Sequence, residues 1–444
     1  MNVDRLTPAA PAGAAAHLDR IALVDGDRRL TYGELATKAA VAARRLAARG
    51  VGPGDRVATL LPAGLEFAVL LHAVPLLGSA LVPLSDRLIA AERRRRCEDA
   101  RPRVLLEAPL EDGPEAEVAL RTGPDPEAIH TVLYTSGTTA QPKRVELTWA
   151  NHRASALASA ERLGVENDDA WLCCLPVHHV GGLAILLRSS LYGTTAVLHP
   201  RFDAERVVAA LETGEVTLIS LVATMARRLA EAGLDSAPRL RAALVGGGPV
   251  PRGVLEWGAE RGLPLVQTYG MTETASQIAT LGVQDALGGR GSAGRPLPGV
   301  ELAVAEEGEI LVRGPMVAPG ALAADGWLHT GDSGRLDAEG FLRVDGRIAN
   351  VIVTGGENVA AEEVEEVLLT HPAVAEAAVL GRPDPEWGEA VTAYVVLEAP
   401  ASEEALREFC RTRLAAFKVP KAVHARAALP RTAAGKLVRR EIAP

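Results

Sequence analysis

The chain has 444 residues, 48% hydrophobic and 23% charged, with 43 Gly and 29 Pro; this is ample material for large buried cores and excludes a wholly disordered chain. Its length corresponds to roughly three domain-sized units. Acidic residues outnumber basic ones 56 to 47, a net charge of −9, and 3% of residues are aromatic, so there is no basic face to release counterions and little to stack bases on, which argues against nucleic acid as a partner.

From the start of the chain, Met1 to Arg5 lack the charged stretch and apolar run of a signal peptide. An Ala-rich pattern from about Tyr32 to Arg49 predicts a helix that stops at Gly50, then a turn over 52–55 and a short strand from Arg56 to Leu61. Leu65 to Leu84 is apolar enough to raise a membrane question, but a spanning helix would have to satisfy Glu66, His72, Pro75, Gly78 and Pro83 in lipid. A buried helix, a turn at Gly78 and a buried strand is the reading, and the chain is expected to be soluble. The basic run Arg93 to Arg96 reads as a solvated helix face, and residues 109–126, rich in Glu, Pro and Gly, as a surface connection.

This βα alternation predicts an α/β fold with a mainly parallel sheet. Gly and Pro dominate residues 288–299, and short alternating strands such as Glu309 to Arg313 follow, which predicts a β-rich subdomain. Beyond Arg347 the pattern restarts with a strand from Val351 to Thr354, a turn at Gly355 and Gly356, and a helix carrying Val364, Val367 and Leu368 on one face. The expected architecture is a large multi-subdomain body over residues 1–347, with parallel-rich sheets flanked by helices, and a small α+β C-terminal domain over 348–444. Cys97, Cys173, Cys174 and Cys410 form no CxxC pair, which fits a reduced cytoplasmic setting.

The sharpest chemical signal is Tyr134 to Lys143, which packs four hydroxyls from Thr135, Ser136, Thr138 and Thr139 beside Gly137 and ends in a lysine. Hydroxyls and backbone N–H groups in such a loop can wrap phosphate oxygens, and the ammonium adds a compact charge. The spacing is not that of a Walker A loop. Gly246, Gly247 and Gly248 follow a strand from Ala242 to Val245 and would let a flat base approach the backbone. Two other signals carry little. Gly289 to Gly294 fits GxGxxG but precedes no helix, and the pair His178 and His179 has no partner at ligand spacing and reads as core or pocket histidine.

Together these segments resemble the adenylate-forming enzymes: acyl- and aryl-CoA synthetases, luciferases and peptide-synthetase adenylation domains. Thr135 to Lys143 resembles the family's phosphate loop, with Ala140 and Arg144 where glycines are usual. The resemblance implies that Thr135, Ser136, Gly137, Thr138, Thr139, Lys143, Gly246, Gly247, Gly248, Tyr269, Asp332 and Arg347 bind ATP. Tyr269 would stack on adenine, Thr272 would contact the α-phosphate, and Glu273 would hold Mg²⁺, a hard cation that prefers carboxylate and phosphate oxygens. Asp332 and Arg347 would take the ribose. Residues 345–347 resemble the hinge, with Ala349 where Lys or Asp is usual. Leu429 to Lys436 resembles the motif that delivers the catalytic lysine on a mobile lid, and Lys436 would stabilise the charge that builds as a carboxylate attacks the α-phosphate. Gly355, Gly356 and Glu357 would line a pantetheine tunnel for coenzyme A.

Leu175 to Leu183 and Gly270 to Ile278 resemble most the o-succinylbenzoate–CoA ligases of menaquinone synthesis. That resemblance implies an acyl pocket built from His179, Ser276 and Gln277, with Arg188 as candidate partner for the carboxylate that stays ionised, since a buried anion needs one. A helix-surface arginine is the competing reading of Arg188. The implied partners are ATP, Mg²⁺, CoA and an aromatic carboxylic acid, with no nucleic acid and no membrane, and a homodimer stays open. The alternatives are another aryl- or acyl-CoA ligase of the same superfamily, a ligase that hands its acyl group to a carrier protein, and a nucleotide binder without turnover.

Overall fold

The computed structural model describes residues 18–110, 112–135, 143–287, 291–354, 357–385, 387–431 and 437–442. Four sheets organise it. A nine-stranded sheet runs, in spatial order, Arg295–Pro296, Ser276–Thr280, Leu265–Met271, Ala242–Gly246, Leu218–Val222, Ala170–Cys173, Thr195–Leu198, Ile21–Asp25 and Arg28–Thr31. Its centre is parallel, from Leu265–Met271 across to Ile21–Asp25, and only the edges are antiparallel. A five-stranded sheet orders Val104–Leu106, Arg56–Thr59, Ala80–Pro83, Ile129–Thr135 and Lys143–Thr148, parallel until the last hairpin.

The third sheet is an antiparallel meander of Glu301–Val304, Glu309–Arg313, Leu328–Leu336 and Leu342–Arg347. The fourth joins Glu357–Ala360, Val351–Thr354, Gly388–Leu397 and Val374–Asp384, with Ala422–Arg426 parallel to Gly388–Leu397. The α/β class, the parallel-rich sheets, the β-rich subdomain and a C-terminal α+β unit are all present.

Local chemistry explains the element ends. Helix Tyr32–Ala48 starts in a capping box, Thr31 accepting from Glu34 N–H while the Glu34 carboxylate accepts from Thr31 N–H, two orphan amides satisfied reciprocally. It stops before Gly50, whose φ of +82° suits glycine. The strand after it ends at Thr59, two residues short of Leu61, because Thr59 Oγ1 accepts from Leu61 N–H and turns the chain. Leu65–Ala73 is a buried helix, Gly78 turns at φ +71°, and Ala80–Pro83 is a buried strand. Among the described residues no helix is long and apolar enough to cross a membrane.

The run Arg93 to Arg96 is only partly a solvated face. Arg94 and Arg95 are exposed, but the half-buried Arg96 guanidinium lies 5.9 Å from the Tyr134 ring centroid. The apolar helix Val180–Tyr192 is buried on nearly every face, packed among the largest cluster of core residues with Leu46, Phe67 and Trp171. Truncating one such leucine to alanine costs about 2–5 kcal/mol.

Candidate functional site

The hairpin Ile129–Thr135 and Lys143–Thr148 places Thr135 directly opposite Lys143, so the antiparallel register alone brings both ends of the phosphate-loop sequence together. Ser136, Gly137, Thr138, Thr139 and Ala140 lie outside the described residues, as do Gly355, Gly356 and Lys436. Lys143 Nζ reaches Glu273 Oε1 at 3.3 Å, the lysine largely exposed and the carboxylate mostly buried. Glu273 rides on a single turn, Thr272–Thr274, that follows strand Leu265–Met271, and its carbonyl accepts from Ala318 N–H. Strand register and one backbone bond thus position Thr272 and Glu273 beside Lys143.

The neighbouring parallel strand Ala242–Gly246 ends in the glycine triplet. A Cβ on Gly246 would sit 2.9 Å from Thr268 Cγ2, and Gly247 has φ +80°, while a Cβ on Gly248 would meet nothing within 4 Å. Two of the three glycines are therefore required by the backbone, and the third leaves open space.

Tyr269 donates its hydroxyl proton to Asp332 Oδ2 at 2.6 Å. Burial first, and then the Asp332 charge, push the phenol well above its usual pKa. Across the meander Asp332 pairs in register with Arg347, and Arg347 Nε sits 2.7 Å from Asp332 Oδ1. Thr330 Oγ1 accepts from Asp332 N–H and donates to Ile310 O, and Arg347 Nη1 donates to Thr330 O. Sequence reasoning assigned Thr330 no role, although it lies two residues before Asp332. The arrangement presents a carboxylate oriented from both sides by an aromatic hydroxyl and a guanidinium.

On the acyl side, Arg188 is buried at 3% exposure, and the helix-surface reading of it is excluded. Nη2 donates to Ser155 Oγ at 3.2 Å, Ser155 Oγ donates to Ala275 O at 2.8 Å, and the guanidinium lies 5.7 Å from the Trp171 ring centroid. No carboxylate among the described residues pairs with it, and burial lowers its pKa. Ser155 and Trp171 carry no motif, and only the tertiary packing identifies them. The bracket ends on a strained pair: Ala275 at φ +48° and Ser276 at φ +109° are non-glycine residues in left-handed backbone.

Gln277 corrects an expectation. Its amide Nε2 donates to both Thr268 Oγ1 and Thr280 Oγ1, so neither amide proton is free for a substrate, and the side chain braces the strand end. His179 is the exposed member of its pair at the start of helix Val180–Tyr192, its ring 4.5 Å from that of His178. Burial, then the charge of His179, lower the His178 imidazole to about 3.

The donor set suits a metal that arrives with its substrate. Among the described residues no cluster of three or more His, Cys, Asp or Glu could cage an ion, while Glu273 offers one carboxylate. Mg²⁺ typically takes one or two protein carboxylates and completes its shell with phosphate oxygens and water.

The AMP-binding enzyme family matches residues 11–122 and 109–322, and the AMP-binding enzyme C-terminal domain matches 363–436. The chain is 44% identical over 464 residues to the 2-succinylbenzoate–CoA ligase of Bacillus licheniformis, covering 96% of both chains. It is also similar to solved structures of the o-succinylbenzoate CoA synthetase from Bacillus subtilis. With the acyl-adenylate intermediate OSB-AMP, that structure has a TM-score of 0.91 at 38% identity, over 98% of this chain and 97% of the other. With ATP and magnesium ion the values are 0.90, 38%, 98% and 98%. A double mutant of the same synthetase bound to the product analogue OSB-NCoA gives 0.73 at 39% identity, over 98% and 97%. With a family match across most of its length and relatives of this identity, the chain belongs to the AMP-binding enzymes.

Proposed function

We propose that this chain is an AMP-forming acid–thiol ligase that adenylates the succinyl carboxylate of o-succinylbenzoate and transfers the acyl group to coenzyme A, giving o-succinylbenzoyl-CoA, AMP and pyrophosphate. The observation that carries the substrate class is Arg188, a buried cation that no carboxylate among the described residues pairs with. A buried charge is costly unless paired, and a substrate with a second, permanently ionised carboxylate supplies the missing partner. Full-length identity to ligases of that name supports the same reading.

ATP lies with its adenine against Tyr269 and Gly246 to Gly248. Its ribose hydroxyls donate to Asp332, with Arg347 alongside, and its phosphates are held by Thr135 to Thr139 and Lys143. Glu273 holds Mg²⁺, which when bound neutralises phosphate charge. Thr272 contacts the α-phosphate. The acyl substrate enters past His179, hydrogen bonds to Ser276, and sets its benzoate toward Arg188. Lys436 donates hydrogen bonds to the oxygens that gain charge as the succinyl carboxylate attacks the α-phosphate and pyrophosphate leaves, an interaction made in the transition state.

Residues 348–444 form a lid that turns about Arg347 to Asn350, withdrawing Lys436 and bringing Gly355, Gly356 and Glu357 to the pantetheine path. CoA thiolate then attacks the acyl carbonyl and AMP leaves. The higher likeness to the acyl-adenylate complex than to the product-analogue complex supports a lid here in the adenylate-forming position. The enzyme works in the cytoplasm, where ATP and CoA are supplied and its four free cysteines stay reduced.

The test is a carboxylic-acid panel read by pyrophosphate release, with and without free CoA. Release specific to o-succinylbenzoate and thioester formed with free CoA are expected. Preference for a monocarboxylate, or transfer only to a carrier protein, overturns the reading. Lys436→Ala should abolish adenylation yet spare thioester formation from preformed acyl-adenylate.

A further inference from the structure

The strand Leu328–Leu336 leaves its ladder around Asp332. Against Glu309–Arg313 it pairs at His329 with Leu311 and at Ser333 with Glu309, so four steps on one strand match two on the other. Against Leu342–Arg347 the same strand slips again between Ser333 and Gly334. Such a bulge re-aims a side chain and takes backbone groups away from their ladder partners. Gly331, at φ +69°, lies in the extra loop of chain, and a side chain serves its amide: Gly331 N–H donates to Glu309 Oε1 at 2.9 Å.

The other oxygen of Glu309 is held by His329. His329 Nδ1 lies 2.8 Å from Glu309 Oε2, and its Nε2 lies 3.0 Å from Asp325 Oδ2. Asp325 is itself fixed in its turn, its Oδ1 accepting from Trp327 N–H at 3.0 Å. An ionised carboxylate only accepts, and a neutral imidazole has one N–H to give, so both contacts are hydrogen bonds only when the ring is protonated. Asp325 first, and then Glu309, raise the His329 pKa above its ordinary 6.5. Of the cations on the packed strands, Arg313 is engaged by Glu301 and by the Trp327 ring at 4.5 Å, Arg335 by Asp345, and Arg347 by Asp332.

We infer that His329 and Glu309 are positioning residues for the ribose carboxylate: the protonated ring holds Glu309, Glu309 holds the Gly331 amide, and the bulge so fixed presents Asp332 between Tyr269 and Arg347. The inference rests on Asp332 taking the ribose, as proposed above. Both residues act through the backbone and not on the nucleotide itself. The hold is complete while His329 is charged. It weakens as pH rises through the raised pKa, because one of the two carboxylates then loses its donor. ATP binding is thereby made pH-sensitive by a group outside the reaction, while the acyl side, anchored on Arg188, is not.

The experiment measures KM for ATP and for o-succinylbenzoate by pyrophosphate release from about pH 6 to about pH 9 in the full chain and in His329→Gln, Glu309→Leu and Asp332→Asn. Each variant is compared with the unsubstituted chain at the same pH, so that titration of ATP itself cancels. Glutamine offers donors on one side only, as the neutral ring does. KM for ATP in His329→Gln should be about two- to fivefold higher near pH 6, the scale of exposed ion pairs, and should converge on the parent value near pH 9. Glu309→Leu takes the acceptor from the Gly331 amide at every pH, so its KM for ATP should be about tenfold higher near pH 6 and stay raised near pH 9. In both, kcat and KM for o-succinylbenzoate should hold within about twofold. If Glu309→Leu does not fold, His329→Gln decides, since that side chain is 45% exposed. A ratio that is flat with pH, or equal rises in both KM values, overturns the inference. An unchanged KM for ATP in Asp332→Asn overturns the ribose assignment instead, so the two failures are distinct.

Discussion

Lys143 and Glu273 form an ion pair, Nζ to Oε1 at 3.3 Å, that joins the strand after the phosphate loop to the turn after Tyr269. The pair engages one oxygen, Oε1, of the carboxylate proposed to hold Mg²⁺. Glu273→Gln removes the anion while keeping the shape, and adenylation kcat should fall about 10²–10³-fold, as for other charge-stabilising groups. Lys143→Met should act mainly on KM for ATP, because it removes a cation used in the bound ground state. Pyrophosphate release over a magnesium titration checks both, and an unchanged Glu273→Gln rate would falsify the metal assignment.

Tyr269→Phe keeps the ring for adenine and removes only the bond to Asp332. A hydrogen bond to a charged group contributes about 1.5–3 kcal/mol, so KM for ATP should rise about tenfold or more with little change in KM for the acid. An equal effect on both substrates would place the Tyr269–Asp332 contact in general packing.

Arg188→Met separates a ligand-binding role from a structural one. Replacing a buried cation that has no counterion among the described residues by an apolar side chain of similar length is neutral or stabilising, so the melting temperature should hold or rise. KM for o-succinylbenzoate should rise about 10²-fold, while KM for ATP stays put, and the thermal shift given by o-succinylbenzoate should vanish. A large loss of stability with an unchanged KM would make Arg188 structural.

Acid sensitivity follows from His72, His130 and His152. Burial lowers His72 to about 4 and His130 to about 3, with His152 held well below the ordinary 6.5 by burial and the charges of His130 and Arg188. His72 pairs with Ser190 and His152 with Thr131, while His130 packs against Trp149 and leaves Nε2 without a partner. Each imidazole is neutral in the folded chain and takes up a proton on unfolding. Their stabilisation is complete above about pH 6.5 and is lost as pH falls toward 4, by about 1.4 kcal/mol per pH unit for each. Denaturant unfolding at pH 7, 6 and 5 should show this slope, and His72→Gln should reduce it by about one such step. A flat profile refutes the neutral assignment.

Much of the fold was legible because its signals are local. The capped helix at Tyr32, the turn at Gly78 and the strand before Lys143 each follow from a few adjacent residues. The grouping of the residues proposed for the nucleotide was legible as well, since their motifs are contiguous and the antiparallel registers set Thr135 opposite Lys143 and Asp332 opposite Arg347. The acyl side was not. Arg188 interrupts an apolar helix, and whether it faces solvent or core depends on Ser155 and Trp171, which come from other elements. Gln277 looked like a pocket donor until its hydroxyl partners were placed.

The left-handed pair Ala275 and Ser276 has a consequence for how this protein would respond to selection for heat tolerance. Each such residue stores about 1–3 kcal/mol, and glycine at 275 would release part of it without removing a polar group. A screen that rewards survival alone should therefore find Ala275→Gly readily. The same change would loosen the turn on which the Ser155–Arg188 bracket closes, so the hardier variant should be the less discriminating one.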